Sequence, residues 1–384
     1  MTKRILIFSL AYFPFIGGAE VAIDETTTRI NENECEFNLI TLVFDKTLPR
    51  YEKRNHVHIY RVGWGMRNQK ISESLHWFLA LQKILFPIIA LPRALSLIFT
   101  KKIDSYWFML LNTSTPIWYL LPRRKTVLSL QDGRTIAEHF SGVRSILYSI
   151  FMRIIRSVYI VQGISNFIVN DVKKYRSIKT IMIPNGVDMH AFSATTTSED
   201  RNRIRVTFGF SENDKVICTV SRLVPSRGVE DAIKGLLHLP EEYKLLIIGE
   251  GHERELLEIL VRDNDLARRV VFAGQLSHKE LPGVLRSCDV FIRVSRHEGM
   301  GNAFVEAMAS GLPVVGTAVG GIPDFLIEGE TGYFCESDNP KSVARAIINA
   351  ISNKEVLIAK GKIVVSDRYN WESITRSMKD LFLL

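Results

Sequence analysis

The chain has 384 residues, of which 46% are hydrophobic and 23% charged. This length is too great for one ordinary core and suits two α/β domains, and the composition excludes a disordered chain. The net charge of +8 lies in the first half, because residues 1–190 carry 25 basic and 14 acidic side chains against 24 and 27 in residues 191–384. We therefore expect an anionic partner for the first half: a membrane surface, a phosphate-bearing acceptor or nucleic acid.

Four scattered cysteines form no C-x-x-C pair, so neither a metal site nor a disulfide framework is expected, and reduced thiols in a cytosolic protein are predicted. These cysteines are Cys35, Cys218, Cys288 and Cys335. The apolar start, Arg4–Leu10, is interpreted as a buried strand and not as a signal peptide, because Pro14 soon interrupts it. No uninterrupted run of about 20 apolar residues occurs, so no transmembrane helix is predicted.

The first half alternates β-branched apolar segments with amphipathic ones, a pattern typical of a parallel sheet covered by helices. The predicted strands are Arg4–Leu10, Phe37–Val43, His58–Val62, Ser105–Phe108, Thr126–Leu130, Tyr159–Gln162 and Thr180–Ile183. The predicted helices are Ala19–Asn31, Ile71–Phe86, Val143–Arg156 and Ile164–Tyr175.

One apolar segment of this half, Leu75–Thr100, has two interpretations. The favoured one is a buried helix pair, since Pro87 and Pro92 interrupt the segment. The alternative is a membrane interface, with the basic residues at 101–102 and 123–125 attracted to anionic headgroups.

The second half shows the alternation more clearly. The predicted strands are Val216–Val220, Lys244–Ile248, Val270–Phe272, Val290–Val294 and Pro313–Gly316. The predicted helices are Val229–Leu239, Glu253–Arg262, Lys279–Arg286 and Asn302–Ser310. Strands and helices that alternate with short connections between them again indicate a parallel sheet.

The sequence thus predicts two Rossmann-like α/β domains that face each other across a cleft, the default place for an active site. A hinge is predicted between Asn185 and about Arg203, where the polar stretch Ser193–Arg205 has linker character. The predicted boundaries are 1–190 for an acceptor domain and 191–365 for a donor domain. Residues 366–384 are expected to form a helix that crosses back to the first domain.

The clearest chemical signal is the segment Arg296–Ala309, where a strand leads through a glycine-bearing loop into a helix. Free amide groups and the dipole at a helix start bind anions. Glu306, one turn into the helix, can accept hydrogen bonds from a ribose diol, and Glu298 in the loop can bind sugar hydroxyls. Taken alone, Glu306 is more readily an ordinary exposed helix residue.

Two arginines five positions apart, Arg222 and Arg227, lie on the loop that follows the strand Val216–Val220. A diphosphate leaving group needs its charge neutralised while its bond to a sugar breaks. Two guanidinium groups can do this without a metal. Singly, either arginine is more readily a solvent-facing loop residue.

Together these segments resemble the donor domain of glycosyltransferase family 4, a retaining family with the GT-B fold. The shared features are two glutamates eight positions apart, here Glu298 and Glu306, that follow a basic loop. Further matching segments are Gly17–Glu20, Ile248–Gly251, Val271–Leu276, Gly311–Val315 and Gly320-Gly321.

The resemblance implies a role for each matching position. Glu306 would bind the ribose, Glu298 the donor sugar, and Arg222 with Arg227 the diphosphate, in a reaction that retains the anomeric configuration. The other positions implied to border the donor are Gly17, Gly18, Gly249, Gly251, Leu276, Met300, Gly301 and Asn302.

Three departures from the family pattern bear on these roles. Arginine stands at Arg227 where the family usually has lysine, and Asp324 stands where it usually has glutamate. Where the first domain often carries a histidine, Gln131 and Asp132 occur instead. Gln131 can donate a hydrogen bond in its place, and Asp132 either contacts the acceptor or forms an Asp-Gly turn. His139 is more often a structural residue than a catalytic one.

We therefore predict a cytoplasmic, metal-independent glycosyltransferase without a cofactor, which uses a nucleotide diphosphate sugar and a glycan or lipid-linked acceptor. Surface polysaccharide or glycolipid assembly is the expected process, and the membrane-interface interpretation adds peripheral contact of the first domain at the inner face of the plasma membrane. A GT-B nucleotide-sugar epimerase and a non-catalytic partner subunit are the alternatives. Nucleic acid is not an expected partner, because no recognition motif for it occurs.

Overall fold

A computed structural model of the chain describes residues 2–15, 17–66, 77–109, 115–139, 145–175 and 178–383. The chain divides into two compact units: Met1–Asn185 with Trp371–Leu384, and Gly186–Asn370. Each unit is built around one mainly parallel sheet, which confirms the predicted α/β class.

In the described part of the first unit, the sheet has eight strands in the order β3-β4-β2-β1-β5-β6-β7-β8, and β3 alone among them runs antiparallel to its neighbour. The strands are β1 Lys3–Phe8, β2 Cys35–Leu42, β3 Tyr51–Arg54, β4 Val57–Val62, β5 Ser105–Met109, β6 Lys125–Leu130, β7 Ile160–Gly163 and β8 Thr180–Met182. Sequence analysis missed only β3 among these. It is a short, mostly exposed edge strand without a buried apolar stripe to reveal it.

Helices α1 to α5 and the final helix α14 belong to this unit. They span α1 Gly18–Arg29, α2 Trp77–Lys101, α3 Ile136–His139, α4 Ser145–Ser157, α5 Asn166–Lys173 and α14 Trp371–Leu383. Helix α14 enters the core of the unit, where the ring of Phe382 packs against those of Phe37 and Trp107. Its Lys379 also pairs with Glu34 at 2.9 Å.

Helix α2 corrects the prediction of a helix pair, because one helix runs through both Pro87 and Pro92. Each proline removes a backbone hydrogen bond. The fully buried Phe86, Ala90 and Ala94, spaced one turn apart, give an apolar stripe that offsets this loss. The part of the helix before Trp77 that was predicted from Ile71 lies outside the described residues.

Helix α2 also bears on the prediction that no segment could span a membrane. Phe78–Lys101 is long and apolar enough to do so by length and composition, a test that core helices of soluble proteins also pass. A third of its most apolar stretch is buried within the protein. The sequence criterion missed it because the two prolines and the charged residues among the apolar ones were counted as interruptions.

The sheet of the second unit has six parallel strands in the order β11-β10-β9-β12-β13-β14. They are β9 Lys215–Val220, β10 Tyr243–Ile248, β11 Val270–Gly274, β12 Val290–Arg293, β13 Val314–Gly316 and β14 Gly332–Phe334. The helices are α6 Met189–Phe192, α7 Ser198–Thr207, α8 Val229–Leu236, α9 Arg254–Asp263, α10 Leu281–Ser287, α11 Asn302–Ala309, α12 Pro340–Ser352 and α13 Lys354–Arg368. The chain order reverses between β9 and β12, which makes this the topological switch point of the sheet.

The linker predicted over Ser193–Arg205 is wrong in its second part, because α7 begins at Ser198. The hydroxyl of Thr197 accepts the Asp200 N–H and caps the helix start. The buried Arg205 then donates to the Ser287 carbonyl at 2.8 Å and pairs with Asp289 at 2.6 Å. These anchors fix a polar segment whose composition alone is typical of a linker.

Candidate active site

The predicted donor residues of the second unit lie on the two loops that leave the sheet at its switch point. One loop joins β9 to α8 and contains a 3₁₀ helix at Pro225–Arg227. The other joins β12 to α11. The Arg296 N–H donates to the Ser226 carbonyl at 2.9 Å, so the two loops are in direct contact. Ligands of open parallel sheets bind at such a point.

Glu298 is the centre of this arrangement and is buried. Its Oε2 accepts a hydrogen bond from Arg227 Nη1 at 2.7 Å and another from Arg293 Nη2. The hydroxyl of Ser295 lies 3.4 Å from the same oxygen. Two of the residues singled out in the sequence, Glu298 and Arg227, are therefore brought together.

Arg293 is a functional candidate that sequence analysis missed. It ends β12 and also donates to the Val220 carbonyl and to Ser295 Oγ, both at 3.2 Å. Burial, with Arg227 acting in the same direction and Glu306 opposing it, lowers the pKa of Arg293 to about 9. The available signal was a single arginine inside an otherwise apolar strand.

Glu306 lies one turn into α11, which begins after Gly301. Burial raises the pKa of its carboxyl group, while the positive charges of His278 and Arg293 act to lower it. Arg293 therefore influences both glutamates of the predicted motif. The first amide groups of α11 form a helix start of the kind that binds phosphate, preceded by the buried Met300.

The loop after β10 lies against the loop after β9. A Cβ on Gly249, whose φ is +134°, would come within 1.9 Å of the Ser221 carbonyl oxygen. A Cβ on Gly251 would meet the Leu223 carbonyl oxygen at 2.2 Å. These glycines are needed for the close approach of two backbones, and the predicted contact with a nucleotide base stays a prediction.

Arg222 is exposed and makes no side-chain hydrogen bond or ion pair with any described residue. Leu276 follows β11 and is half-buried, and Asn302 is the first residue of α11. The contacts described above do not join any of these three to Glu298. Their predicted roles at the donor stay predictions.

Four predicted site residues belong to the first unit. Gly17 and Gly18 are exposed at the start of α1, and the Gly17 N–H donates to Glu20 at 2.8 Å. Gln131 Oε1 accepts from the Asn185 amide at 3.2 Å. Asp132 accepts from the side chain of Arg134 at 2.9 Å and from its N–H at 3.2 Å.

The described part of the chain holds no group of three or more His, Cys, Asp or Glu side chains arranged to bind a metal ion. The four cysteines are all buried and free. All four lie in described segments, and none of them is part of a disulfide in this structure.

Comparison with known proteins is consistent with this geometry. A family model described as "Glycosyl transferases group 1" matches residues 200–378. An uncharacterized glycosyltransferase of Methanocaldococcus jannaschii is 24% identical over 99% of this chain and 98% of its own length. A GDP-mannose-dependent monoacylated alpha-(1-6)-phosphatidylinositol monomannoside mannosyltransferase of Corynebacterium glutamicum is 29% identical over 50% of this chain and 52% of its own.

Two solved structures share the fold over almost the whole chain. Sucrose-phosphate synthase from Thermosynechococcus elongatus superposes with a TM-score of 0.82 and 19% identity, covering 99% of this chain and 98% of its own. Anabaena HepE in complex with UDP-glucose gives a TM-score of 0.77 and 20% identity, covering 98% of both chains. The chain has the GT-B fold, and the family model and relatives support glycosyltransferase activity.

Proposed function

We propose that the chain is a retaining glycosyltransferase of family 4, which transfers a sugar from a nucleotide diphosphate sugar to a glycan or lipid-linked acceptor. The observation that carries this proposal is the buried Glu298 carboxylate held by Arg227 and Arg293 at the switch point of the second sheet. The mannosyltransferase relative and the UDP-glucose complex lend support for such a donor. Surface polysaccharide or glycolipid assembly is the process we propose.

The chemistry required of the site is stabilisation of charge. When the bond between the anomeric carbon and the phosphate oxygen breaks, negative charge develops on the diphosphate. Arg227 and the exposed Arg222 lie on one loop, and the α11 start supplies backbone amides beside Glu298. Cations and amides preorganised in this way stabilise a leaving group without a metal, so we propose a metal-independent reaction without a cofactor.

The two glutamates bind different parts of the donor. Glu306 accepts from the ribose hydroxyls, and Glu298 from hydroxyls of the transferred sugar. Arg227 then has to exchange Glu298 for a phosphate oxygen, since both compete for its guanidinium group. In the first unit, Gln131 is the candidate to donate a hydrogen bond in place of the family's usual histidine, and Asp132 is the candidate to contact or deprotonate the acceptor.

A thermal-shift screen against UDP, GDP, ADP and their sugar conjugates, with EDTA throughout, tests this function. We expect one nucleotide to raise the melting temperature of the protein, because a ligand that binds only the folded state stabilises it. A shift that needs added metal would refute metal independence. No shift with any nucleotide would favour a non-catalytic partner subunit. Chromatography that finds the epimer of a supplied nucleotide sugar, with its bond to the diphosphate intact, would indicate an epimerase.

We further propose a cytoplasmic protein that contacts the anionic inner face of the plasma membrane through α2. Ile84, Ile88 and Phe99 of this helix are 69%, 65% and 74% exposed and form an apolar stripe with Leu81 and Leu85. Such a stripe suits insertion at the level of the headgroups.

Basic residues flank the end of this stripe. Lys102 follows α2, and Arg124 Nε donates to the Ile103 carbonyl at 3.2 Å, which brings the exposed Arg123–Lys125 segment beside it. Clusters of this kind attract anionic lipids by roughly 1 kcal/mol per basic residue near the surface. The positive charge therefore complements an anionic membrane.

Flotation with vesicles of anionic and of neutral lipid tests the membrane contact. We expect binding to anionic vesicles at low salt, and its loss in a variant with Ile84→Asn and Ile88→Asn. The matched control is Val356→Asn with Ile363→Asn, which changes two exposed apolar residues of α13 in the other unit. Wild-type protein that does not float with anionic vesicles would remove this proposal and leave the transferase assignment intact.

A further inference from the structure

Arg293 is an arginine whose side chain has almost no contact with solvent. It is 6% exposed, and its guanidinium carbon lies 5.3 Å from the centre of the Phe304 ring. A buried charge is costly unless it is paired and hydrogen-bonded. Its presence beneath the two candidate glutamates therefore needs an explanation.

The contacts of Arg293 join three segments. Its Nη1 donates to the carbonyl of Val220 at the end of β9, and its Nε donates to Ser295 on its own loop. Its Nη2 donates to Glu298. The planar arginine fork can reach three acceptors in different directions, which the single ammonium of lysine cannot reproduce.

The two arginines on Glu298 differ in their freedom to move. Arg227 lies on a loop, where it also donates to the His297 carbonyl at 3.1 Å, and its side chain is more exposed than that of Arg293. Arg293 is fixed by the strand end and by its other hydrogen bonds. A donor diphosphate can therefore draw Arg227 away from Glu298, whereas Arg293 has to stay.

We propose that Arg293 is a positioning residue of the donor site, which keeps Glu298 paired and oriented when Arg227 moves to the diphosphate. This role rests on the proposed transferase function. Without Arg293, Arg227 would be the only cation among the described residues bonded to the buried carboxylate, and the phosphate would compete for it. The same positive charge favours the ionised form of Glu306, together with His278 from the loop after β11.

Binding and turnover of Arg293 variants test this role. We expect Arg293→Met to lower kcat by roughly 10²-fold, the effect of misplacing groups in a site, with a smaller change in KM for the donor. Nucleotide binding is measured by calorimetry between about pH 5 and pH 8. As the pH falls, binding should be lost at a higher pH in Arg293→Met than in the wild type, because without Arg293 the pKa of Glu306 is higher. Arg293→Lys should change this pH dependence less than Arg293→Met, because its ammonium is charged in the acidic part of the range, and it should still lower kcat.

Arg269→Met is the matched control. Arg269 is also 6% exposed and lies in the same unit. It donates to the carbonyls of Leu239, Pro240 and Tyr243 and pairs with Glu241 at 3.6 Å, and none of its contacts with described residues is to Glu298 or Glu306. We expect it to lower stability without moving the pH dependence of binding.

The outcomes separate the two proposals. A wild-type protein that binds no nucleotide at any pH refutes the transferase function and, with it, this role of Arg293. Wild-type nucleotide binding with an unchanged kcat in Arg293→Met, or an equal loss of kcat in Arg269→Met, refutes the role of Arg293 alone. If Arg293→Met does not fold, Arg293→Lys decides, since wild-type kcat in that variant would contradict positioning by the fork.

Discussion

Gly320 lies directly against the backbone carbonyl of Glu298, so that a Cβ at this position would come within 1.7 Å of the carbonyl oxygen. The next residue, Gly321, donates its N–H to the same oxygen at 3.3 Å. Gly320 also has a φ of +56°, a conformation that side chains disfavour. The glycine pair noted in the sequence thus supports the backbone of the central glutamate.

We expect Gly320→Ala to displace Glu298 and to reduce both stability and activity. Gly329→Ala is the control, because Gly329 has a similar φ of +70° and open space where a Cβ would lie. Alanine in this conformation costs about 1–2 kcal/mol, and the steric conflict at Gly320 should add roughly 1–3 kcal/mol. Chemical denaturation and donor turnover measure the difference, and equal losses in both variants would contradict the contact.

Arg222 offers a test of leaving-group stabilisation with little structural disturbance. Its side chain is exposed and bonds to no described residue, so Arg222→Ala should leave the free energy of unfolding nearly unchanged. We expect turnover to fall on the order of 10²-fold, as for other preorganised charge donors. Steady-state kinetics with a saturating donor would show this.

Arg345→Ala is the control for that variant, since Arg345 is an exposed arginine on α12 of the same unit. It should keep wild-type turnover. Near-wild-type activity of Arg222→Ala would refute its role at the diphosphate.

Substitution of Glu306 should have opposite effects on the stability of the fold and on nucleotide binding. Its pKa is raised above the ordinary value of 4.5 by burial, so the folded protein binds this proton more tightly than the unfolded chain. The unfolding free energy therefore falls as the pH rises from below 4.5 through the raised pKa. Since glutamine does not ionise, Glu306→Gln should be more stable than the wild type at neutral pH, and this gain should vanish below pH 4.5.

The same variant should bind nucleotide more weakly, because the neutral amide replaces an ionised acceptor for the ribose hydroxyls. Glu355→Gln, at an exposed position in the first turn of α13, controls for the loss of a charge. Melting curves with and without nucleotide, recorded across pH, measure both effects. Unchanged nucleotide affinity in Glu306→Gln would remove the ribose role.

The sequence predicted the parts of this fold that have a strong local pattern. Most strands are buried on both faces and read as apolar runs, as at β1 and β10. Helix α7 was missed because its anchor, the buried Arg205, bonds to Ser287 and Asp289, more than 80 positions away in the chain. Such long-range pairing leaves no local signature.

The difference between local and long-range contacts also explains which residues of the candidate site could be predicted from the sequence. Glu298 and Glu306 were found through their spacing around a helix start, which is a local feature. Arg293 became a candidate only when β9 and β12 were seen side by side, with the Val220 carbonyl and Glu298 on either side of its guanidinium group. The pairing of Arg227 with Glu298 likewise joins residues 71 positions apart.

Gln131 and Asp132 can be separated by substitution, because the structure gives them different partners. Asp132 accepts from the N–H of Arg134 two residues on, as an aspartate in a turn does, and its carboxylate is also paired with the Arg134 side chain. Gln131 has its carbonyl oxygen bonded to Asn185, which orients its amide group as a donor.

We therefore expect Gln131→Ala to lower the rate of sugar transfer at least 10-fold, which is roughly the lower limit for loss of an oriented hydrogen bond to a charged or reacting group. Gln131→Glu should be equally slow, because a carboxylate cannot donate this hydrogen bond. Asp132→Asn should keep most of the activity, because asparagine can still accept the Arg134 N–H. Transfer rates and nucleotide affinity measured in parallel would separate an effect on the acceptor side from one on the donor. A collapse of transfer in Asp132→Asn with normal nucleotide binding would instead identify Asp132 as the residue that contacts or deprotonates the acceptor.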